Sequence, residues 1–311
     1  MTRSVYNHFK SQRADMARPS WRLSAKLLIA SSLATVIGFS AICATVMLDM
    51  RRGVEDLARQ SLENLASSID ADISRNIELY DLSLRSVANS IGAPETKGVS
   101  KPVLYLILFD HAATAKHFGA IQVFDADGRL TADASTLDPL AENRSDEEYF
   151  TVHRDNPDAG LFISRPTLHR GRYAIVLSRR INGPDGHFMG VVAGSIRFSY
   201  FHELFGGLRL ADGDATTALR RDPTIIMRRP FDLDVIGRNL GERQDWNPAN
   251  LTDSRSYAGA GPVDQIPRLY VRRGGDHPLI VVVGKPLESI FSIWRIQASR
   301  IGAIMLALIV F

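Results

Sequence analysis

The first strong pattern along the chain is an uninterrupted apolar run. Leu27 to Leu48 is 22 residues without a charge. At 1.5 Å per residue, a helix of that length covers the roughly 30 Å hydrocarbon core of a bilayer. A cleaved signal peptide carries an apolar region of only about 7–15 residues. A lipoprotein signal needs a small residue where Ile42 precedes Cys43. The run therefore reads as an uncleaved transmembrane helix, 27–48, behind a tail of residues 1–26. Lys10, Arg13, Arg18, Arg22 and Lys26 precede it, while Arg51 and Arg52 follow it with Asp49, Glu55 and Asp56 nearby. That basic excess places the N-terminus in the cytoplasm and everything from Asp49 onward outside.

A different pattern fills residues 49–93. Apolar residues recur at Val54, Leu57, Leu62, Leu65, Ile69, Ile73, Ile77, Tyr80, Leu84, Val87 and Ile91. Steps of three and four dominate, so the segment reads as one long amphipathic helix, uninterrupted by proline until Pro94. Its stripe could lie along a sheet or form the seam of a parallel homodimer, and a dimer is the expectation carried forward.

Beyond it the period shortens to that of strands. Ile121–Phe124 alternates before a turn at Asp125–Gly128. Ser145–Glu148 reads as an N-cap and acidic first turn opening a short helix with Tyr149, Phe150 and His153. Arg172–Ile181 and Phe188–Ile196 flank a turn at Asn182–Gly186 and predict a hairpin. Phe198–Leu208 reads as a helix ended by Gly206 and Gly207. Thr216–Arg221 and Thr224–Arg228 then repeat the earlier hairpin, with Asp222 lying 95 positions after Asp127. Arg268 follows Arg172 by 96 positions, with Leu279–Gly284 as its partner strand. Two matching offsets predict a duplicated α+β unit, divided at 94–208 and 209–290. After Arg300 come 11 apolar residues, too few to cross a bilayer. Residues 291–311 read as the start of a second, truncated span, leaving no segment for an output domain.

Composition narrows the class. Of the 311 residues 45% are hydrophobic, which suits a folded chain with a core. The net charge of +3 comes from interspersed charges, without the basic stripe of a nucleic-acid binder. The single cysteine, Cys43, sits in the apolar run, so the exported region is held without disulfides. The eight histidines show no metal-ligand spacing, and no phosphate-binding glycine loop or nucleophile elbow occurs. No cofactor, metal or catalytic residue is expected. Gly274-Gly275-Asp276 reads as a hairpin turn, and Arg220-Arg221-Asp222 as a solvated turn.

A membrane helix, a long amphipathic helix, two small α+β units and a second membrane segment together resemble the double Cache sensor regions of bacterial receptors. Asp146–Pro166, Arg172–Ile181 and Gly190–Ile196 are similar to the membrane-distal Cache unit found on many diguanylate cyclases. Ile236–Leu240 and the stretch from Tyr270 to Gly284 are similar to the membrane-proximal unit. The resemblance spans about residues 27–311. It implies an α+β, membrane-anchored protein: a long N-terminal helix, then two PAS-like Cache units with antiparallel sheets. It also implies an inner-membrane receptor with residues 49–300 periplasmic, of diguanylate cyclase type with the output domain absent. The alternative is an anchored extracytoplasmic enzyme or adhesion protein.

The resemblance further implies a ligand pocket in the distal unit, between the sheet and its capping loops. Strand alternation puts Arg172, Ala174, Val176 and Ser178 on one face, and Val191, Ala193 and Ser195 on the face of the next strand. Tyr149, Phe150 and His153 belong to the short helix that would form a lid. Arg165 and Arg172 would supply positive charge, favouring a small anionic ligand. Amino-acid-binding members carry an arginine where this chain has Glu147, and an aspartate where it has Ser195. Both charged ends of an amino-acid site are missing, so an α-amino acid is not the expected ligand. For the topology, alkaline phosphatase fused after residue 200 should be active. Inactivity there, with activity in an N-terminal fusion, would reverse the orientation.

Overall fold

The amphipathic stripe finds its partner inside the chain. The computed structural model describes residues 20–93, 98–109, 117–169, 172–242, 256–275 and 277–310. Helix α1, Ser20–Gly92, contains both the apolar run and the amphipathic segment. Along the latter, Leu62, Ala66, Ile69, Ile73, Ile77, Tyr80, Leu84 and Val87 are all buried within the single chain. The stripe expected to form the seam of a homodimer is thus occupied by the chain's own sheets. The physical reason is that two sheets each present an apolar face to this helix. The apolar side chains it leaves exposed in this segment include Leu57, Leu79 and Leu82.

Leu57–Ser289 is one compact unit, and 1–56 with 290–311 is the other. In the first unit, helix α2 (Lys101–Phe109) precedes strands β1 (Gln122–Asp125) and β2 (Leu130–Asp133). Helix α3 (Glu148–Asp155), short strands β3 (Phe162–Ile163) and β4 (Thr167–His169), and the long strands β5 (Arg172–Asn182) and β6 (Phe188–Arg197) follow. Helix α4 (Phe198–Gly206) closes the distal part. The sheet runs β2-β1-β6-β5-β3, with β4 also on β5, and its pairings are antiparallel. Strands β7 (Ala215–Arg220), β8 (Ile225–Arg229), β9 (Ser256–Ala260), β10 (Pro267–Arg273) and β11 (Leu279–Pro286) form a second antiparallel sheet, ordered β8-β7-β11-β10-β9. The order β2-β1-β6-β5 recurs as β8-β7-β11-β10, which is the duplication signalled by the two offsets. Gly274 and Gly275 fall in the connection between β10 and β11, an antiparallel pair.

Turn chemistry fixes the ends of these strands. Gly128 closes the β1–β2 turn at φ +80°, and a Cβ there would also meet the backbone of Ser145. Only glycine satisfies both demands. Pairing of Leu177 with Gly194 and of Val176 with Ser195 fixes the two faces of the distal sheet. Ile175, Leu177, Arg179 and Gly194 look toward α1, while Ala174, Val176, Ser178, Ala193 and Ser195 look away from it.

Tyr80 seats α1 on that first face. Its ring stacks on Phe118 at 4.3 Å, and its hydroxyl donates to the carbonyl of Gly119 at 2.7 Å. Burial pushes the Tyr80 phenol well above its ordinary pKa, so it remains a donor. Further ties run from Tyr200 to Asp72 (2.9 Å), from Arg179 to Asp81 (Nη2, 2.9 Å) and between His277 and Asp70 (3.0 Å). The proximal sheet has its own polar core, where the fully buried Arg268 and the nearly buried Arg228 share the carboxylate of Asp264.

In the other unit, the first part of α1 meets helix α5 (Leu287–Val310). Trp294 Nε1 donates to the carbonyl of Met47 at 2.9 Å, and the Arg51 guanidinium lies over the rings of Phe291 and Trp294. Among the described residues one helical stretch, Lys26–Ile91, is long and apolar enough to cross a membrane, and its most apolar window is entirely unburied. Lys10, Arg13 and Arg18 of the tail lie outside the described residues.

Gly194 is a tight point of the distal packing, because a Cβ there would strike the Tyr80 ring and hydroxyl. Gly194→Ala should cost about 1–3 kcal/mol, the usual penalty for overpacking a filled core. Chemical denaturation of the full chain measures it, and an unchanged midpoint would show that α1 is not seated through Tyr80.

Candidate functional site

Helix α3 lies over the face of the distal sheet that α1 does not cover. Its buried residues are Tyr149, Phe150 and His153, which share one side of a two-turn helix. The helix begins later than the sequence suggests. Glu147 occupies the cap position without a side-chain hydrogen bond, whereas the Ser145 amide is held by Asn143 Oδ1 at 2.9 Å. The cap expected at Ser145 is thus corrected. Arg144 donates its backbone N–H to Gly128 at 2.8 Å, which keeps Ser145 in a turn beside β1–β2.

Beneath the helix, Tyr149 and Phe150 pack with Phe124, Val176, Val191 and Ala193, and Phe162 and Phe188 flank the cluster. Phe150 meets Phe188 edge-on at 5.6 Å, and Tyr149 lies 6.2 Å from Phe124. These aromatics make an apolar cluster against the sheet, beside which a few polar groups are buried. His153 is fully buried, with Nε2 2.9 Å from the Ser178 hydroxyl. Its Nδ1 has no hydrogen-bond partner. Burial, reinforced by Arg179 and Arg180, lowers its pKa to about 4 despite the Ser178 contact, so the imidazole is neutral. Burial, with the charge of Glu147, pushes the Tyr149 phenol far upward. Ser195 shares this face, opposite Val176, and is buried.

The sequence reading missed two polar groups on the same face. Gln122 pairs with Ala193 across the strands, and its amide donates to Asp133 at 2.9 Å. Asp133 also accepts from the amide and hydroxyl of Ser135 at 2.8 and 2.6 Å. This buried carboxylate is therefore engaged by the protein itself. Its signal in the sequence was the alternation of β1, where Gln122 and Phe124 share a side. A cavity of about 220 Å³ opens at this sheet edge, lined by Tyr105, Leu130, Thr131, Asp133, Leu137 and Asp138 among others.

The arginines are distributed otherwise than the sequence suggested. Arg165 is half exposed and points to Asp222 of the proximal unit, 3.8 Å away. That carboxylate is its charged partner among the described residues. Arg172 begins β5, opposite His169, and its side chain lies outside the described residues. Of the Arg220-Arg221-Asp222 run, expected to be a solvated turn, Arg220 is buried, while Arg221 is exposed and Asp222 half-buried. Arg220 sits over the Phe162 ring at 5.3 Å and grips both carboxylate oxygens of Glu148, the first residue of α3, at 3.1–3.2 Å. An arginine of the proximal sheet thereby holds the lid helix of the distal one. Among the described residues, no group of three His, Cys, Asp or Glu side chains comes together as a metal site.

No family model matches the chain, and no curated protein does. Solved structures do resemble it. The extracellular domain of rpHK1S-Z16, assigned as a histidine kinase, aligns at 24% identity and TM-score 0.62, covering 76% of this chain and 98% of that one. The periplasmic sensory domain of the Campylobacter jejuni chemoreceptor Tlp1 aligns at 13% identity and TM-score 0.60, over 76% and 98%. The ligand-binding domain of the Pseudomonas fluorescens chemoreceptor CtaA, in complex with L-isoleucine, aligns at 15% and TM-score 0.58, over 78% and 98%. The chain shares the fold of these domains: α+β, with a long N-terminal apolar helix and antiparallel sheets in two units.

The neutral His153 makes a pH prediction. In the unfolded chain it would take up a proton near pH 6.5, whereas in the folded chain it does so only near 4. The unfolded state binds more protons between those values, so stability falls as pH drops through that window. The slope contributed is at most about 1.4 kcal/mol per pH unit. His153→Gln should remove this part of the slope, measured as denaturation midpoints across the window, and identical slopes in both proteins would contradict a buried neutral imidazole.

Proposed function

We propose that this chain is the small-molecule sensing region of an inner-membrane receptor, with residues 49–300 periplasmic and the distal Cache unit, 94–208, taking the ligand. The observation that carries the reading is the aromatic lid of α3 over a sheet face of small residues, where His153 Nδ1 is left without a partner. The fold supports it, since the neighbours are sensory or ligand-binding domains. A binding module is favoured over an enzyme on the same ground. The cyclase-type output rests on the local phrases alone, whereas the neighbours belong to chemoreceptors and a protein assigned as a histidine kinase.

Ligand chemistry follows from the groups on this face. CtaA was seen with L-isoleucine, and the Campylobacter jejuni chemoreceptor Tlp3 with L-valine. This chain has Glu147 and Ser195 at the two positions where the amino-acid pattern needs charge. Asp133 is engaged by Gln122 and Ser135, and Arg165 by Asp222. The face therefore suits a mostly apolar body with one group hydrogen-bonding to His153 rather than an anion or a free amino acid. Binding would shift a population of lid arrangements, and the Glu148–Arg220 pair would pass the change to the proximal unit.

A thermal-shift screen of the full chain in detergent tests the pocket. Saturation at about 100 times the dissociation constant adds roughly 2.7 kcal/mol. No standard amino acid should shift the midpoint, and any stabilising neutral compound should lose its effect in Ala193→Phe, which adds bulk beneath α3. A clear shift with a free amino acid defeats the ligand class. Stabilisation by a neutral compound that survives Ala193→Phe defeats the site.

A further inference from the structure

A larger opening lies on the opposite side of the distal sheet, between the two Cache units. It is a cleft of about 760 Å³, within the range of small-molecule sites. One wall is the α1 segment with Ile77, Glu78, Asp81 and Arg85; Arg179 of β5 and Arg221 of the β7–β8 turn face into it. Arg179 belongs to the sheet face that carries α1, so this cleft is separate from the aromatic cluster under α3.

Its charge is unbalanced. Asp81, nearly buried, accepts from Arg85 through Nε at 3.0 Å and Nη2 at 2.9 Å, and from Arg179 through Nη2 at 2.9 Å and Nε. One carboxylate thus serves two guanidinium groups, each of which keeps an Nη1 without a partner among the described residues. Arg221 is exposed and has no hydrogen bond or ion pair there at all. Glu78, exposed on the rim, is the other acid among the described lining residues, where three arginines face two carboxylates. His277 adds no counter-charge, since it is tied to Asp70. Guanidinium forks match the oxygens of carboxylate and phosphate, and a concave site with excess positive charge concentrates anions. Ile77, Leu161 and Pro278 offer apolar surface to a carbon body.

We propose that this cleft is a second ligand site, for a small carboxylate or phosphate anion held between Arg221 of the proximal unit and the Arg85–Arg179 pair of the distal one. An occupant would bridge the two units directly.

The test is a thermal-shift and calorimetric titration of the full chain in detergent with succinate and, separately, inorganic phosphate, against sodium chloride at matched ionic strength. At least one anion should bind saturably, and the two arms tell a carboxylate site from a phosphate site. Arg221→Ala removes a side chain with no structural partner and should weaken binding about tenfold or more, the loss of one hydrogen bond to a charged group. Asp81→Asn, which frees two guanidinium groups from their carboxylate, should tighten it. Arg209→Ala, an exposed arginine outside the cleft, should change nothing. The proposal is overturned if neither anion binds beyond the chloride control. It is equally overturned if Arg221→Ala binds like the parent, or if Arg209→Ala weakens binding as much.

Discussion

Seating of the Tyr80 side chain over Gly194 is the contact on which the arrangement of the distal unit depends. The long helix has one apolar stripe, and each sheet has one face needing cover. Tyr80 enters the notch that the missing Cβ creates, and its hydroxyl satisfies the Gly119 carbonyl. With that face closed, the opposite face is left to a two-turn helix and its loops. A short element with few contacts opens at lower cost than a long one. The division of labour between a fixed cover and a light one therefore follows from where the stripe goes.

Charge adds to apolar packing in joining the lid to its neighbours. Glu148 accepts from Arg220 and from the Arg165 amide, and Arg220 also approaches Asp222 at 3.4 Å. Arg220 is sheltered and Glu148 half exposed, so removing the carboxylate would leave a largely buried guanidinium under-compensated. The start of α3 cannot move without disturbing the environment of a proximal strand. Coupling between the units is thereby carried by identifiable atoms.

Much of this was legible in the sequence, for definite reasons. The period-two runs of β5 and β6, the Asn182–Gly186 turn and the recurrence after 95 and 96 positions announced two similar sheets. The face shared by Val176, Ser178 and Ala193 followed from alternation alone. Other features were not legible. Helix α2, KPVLYLILF, is apolar on nearly every side, so no period marks it. The stripe on α1 has the same spacing whether it meets a sheet or another helix. Arg220 sits in a run of charges that looks solvated, and only the fold brings Glu148, 72 positions away, against it. Asp133 was overlooked because a carboxylate at the end of a short strand resembles any turn residue.

The junction between the two sheets has a further consequence, because its ion pairs are unequally sheltered. Arg220, which holds Glu148, is largely buried, whereas Arg165, which faces Asp222, is half exposed. Mobile salt screens the exposed pairs within about a Debye length, roughly 8 Å at physiological ionic strength, and barely touches the sheltered ones. Rising salinity therefore loosens the periphery of this junction while leaving its centre clasped. The strength of the junction becomes a function of the surrounding brine, set by which of its charges the medium can reach.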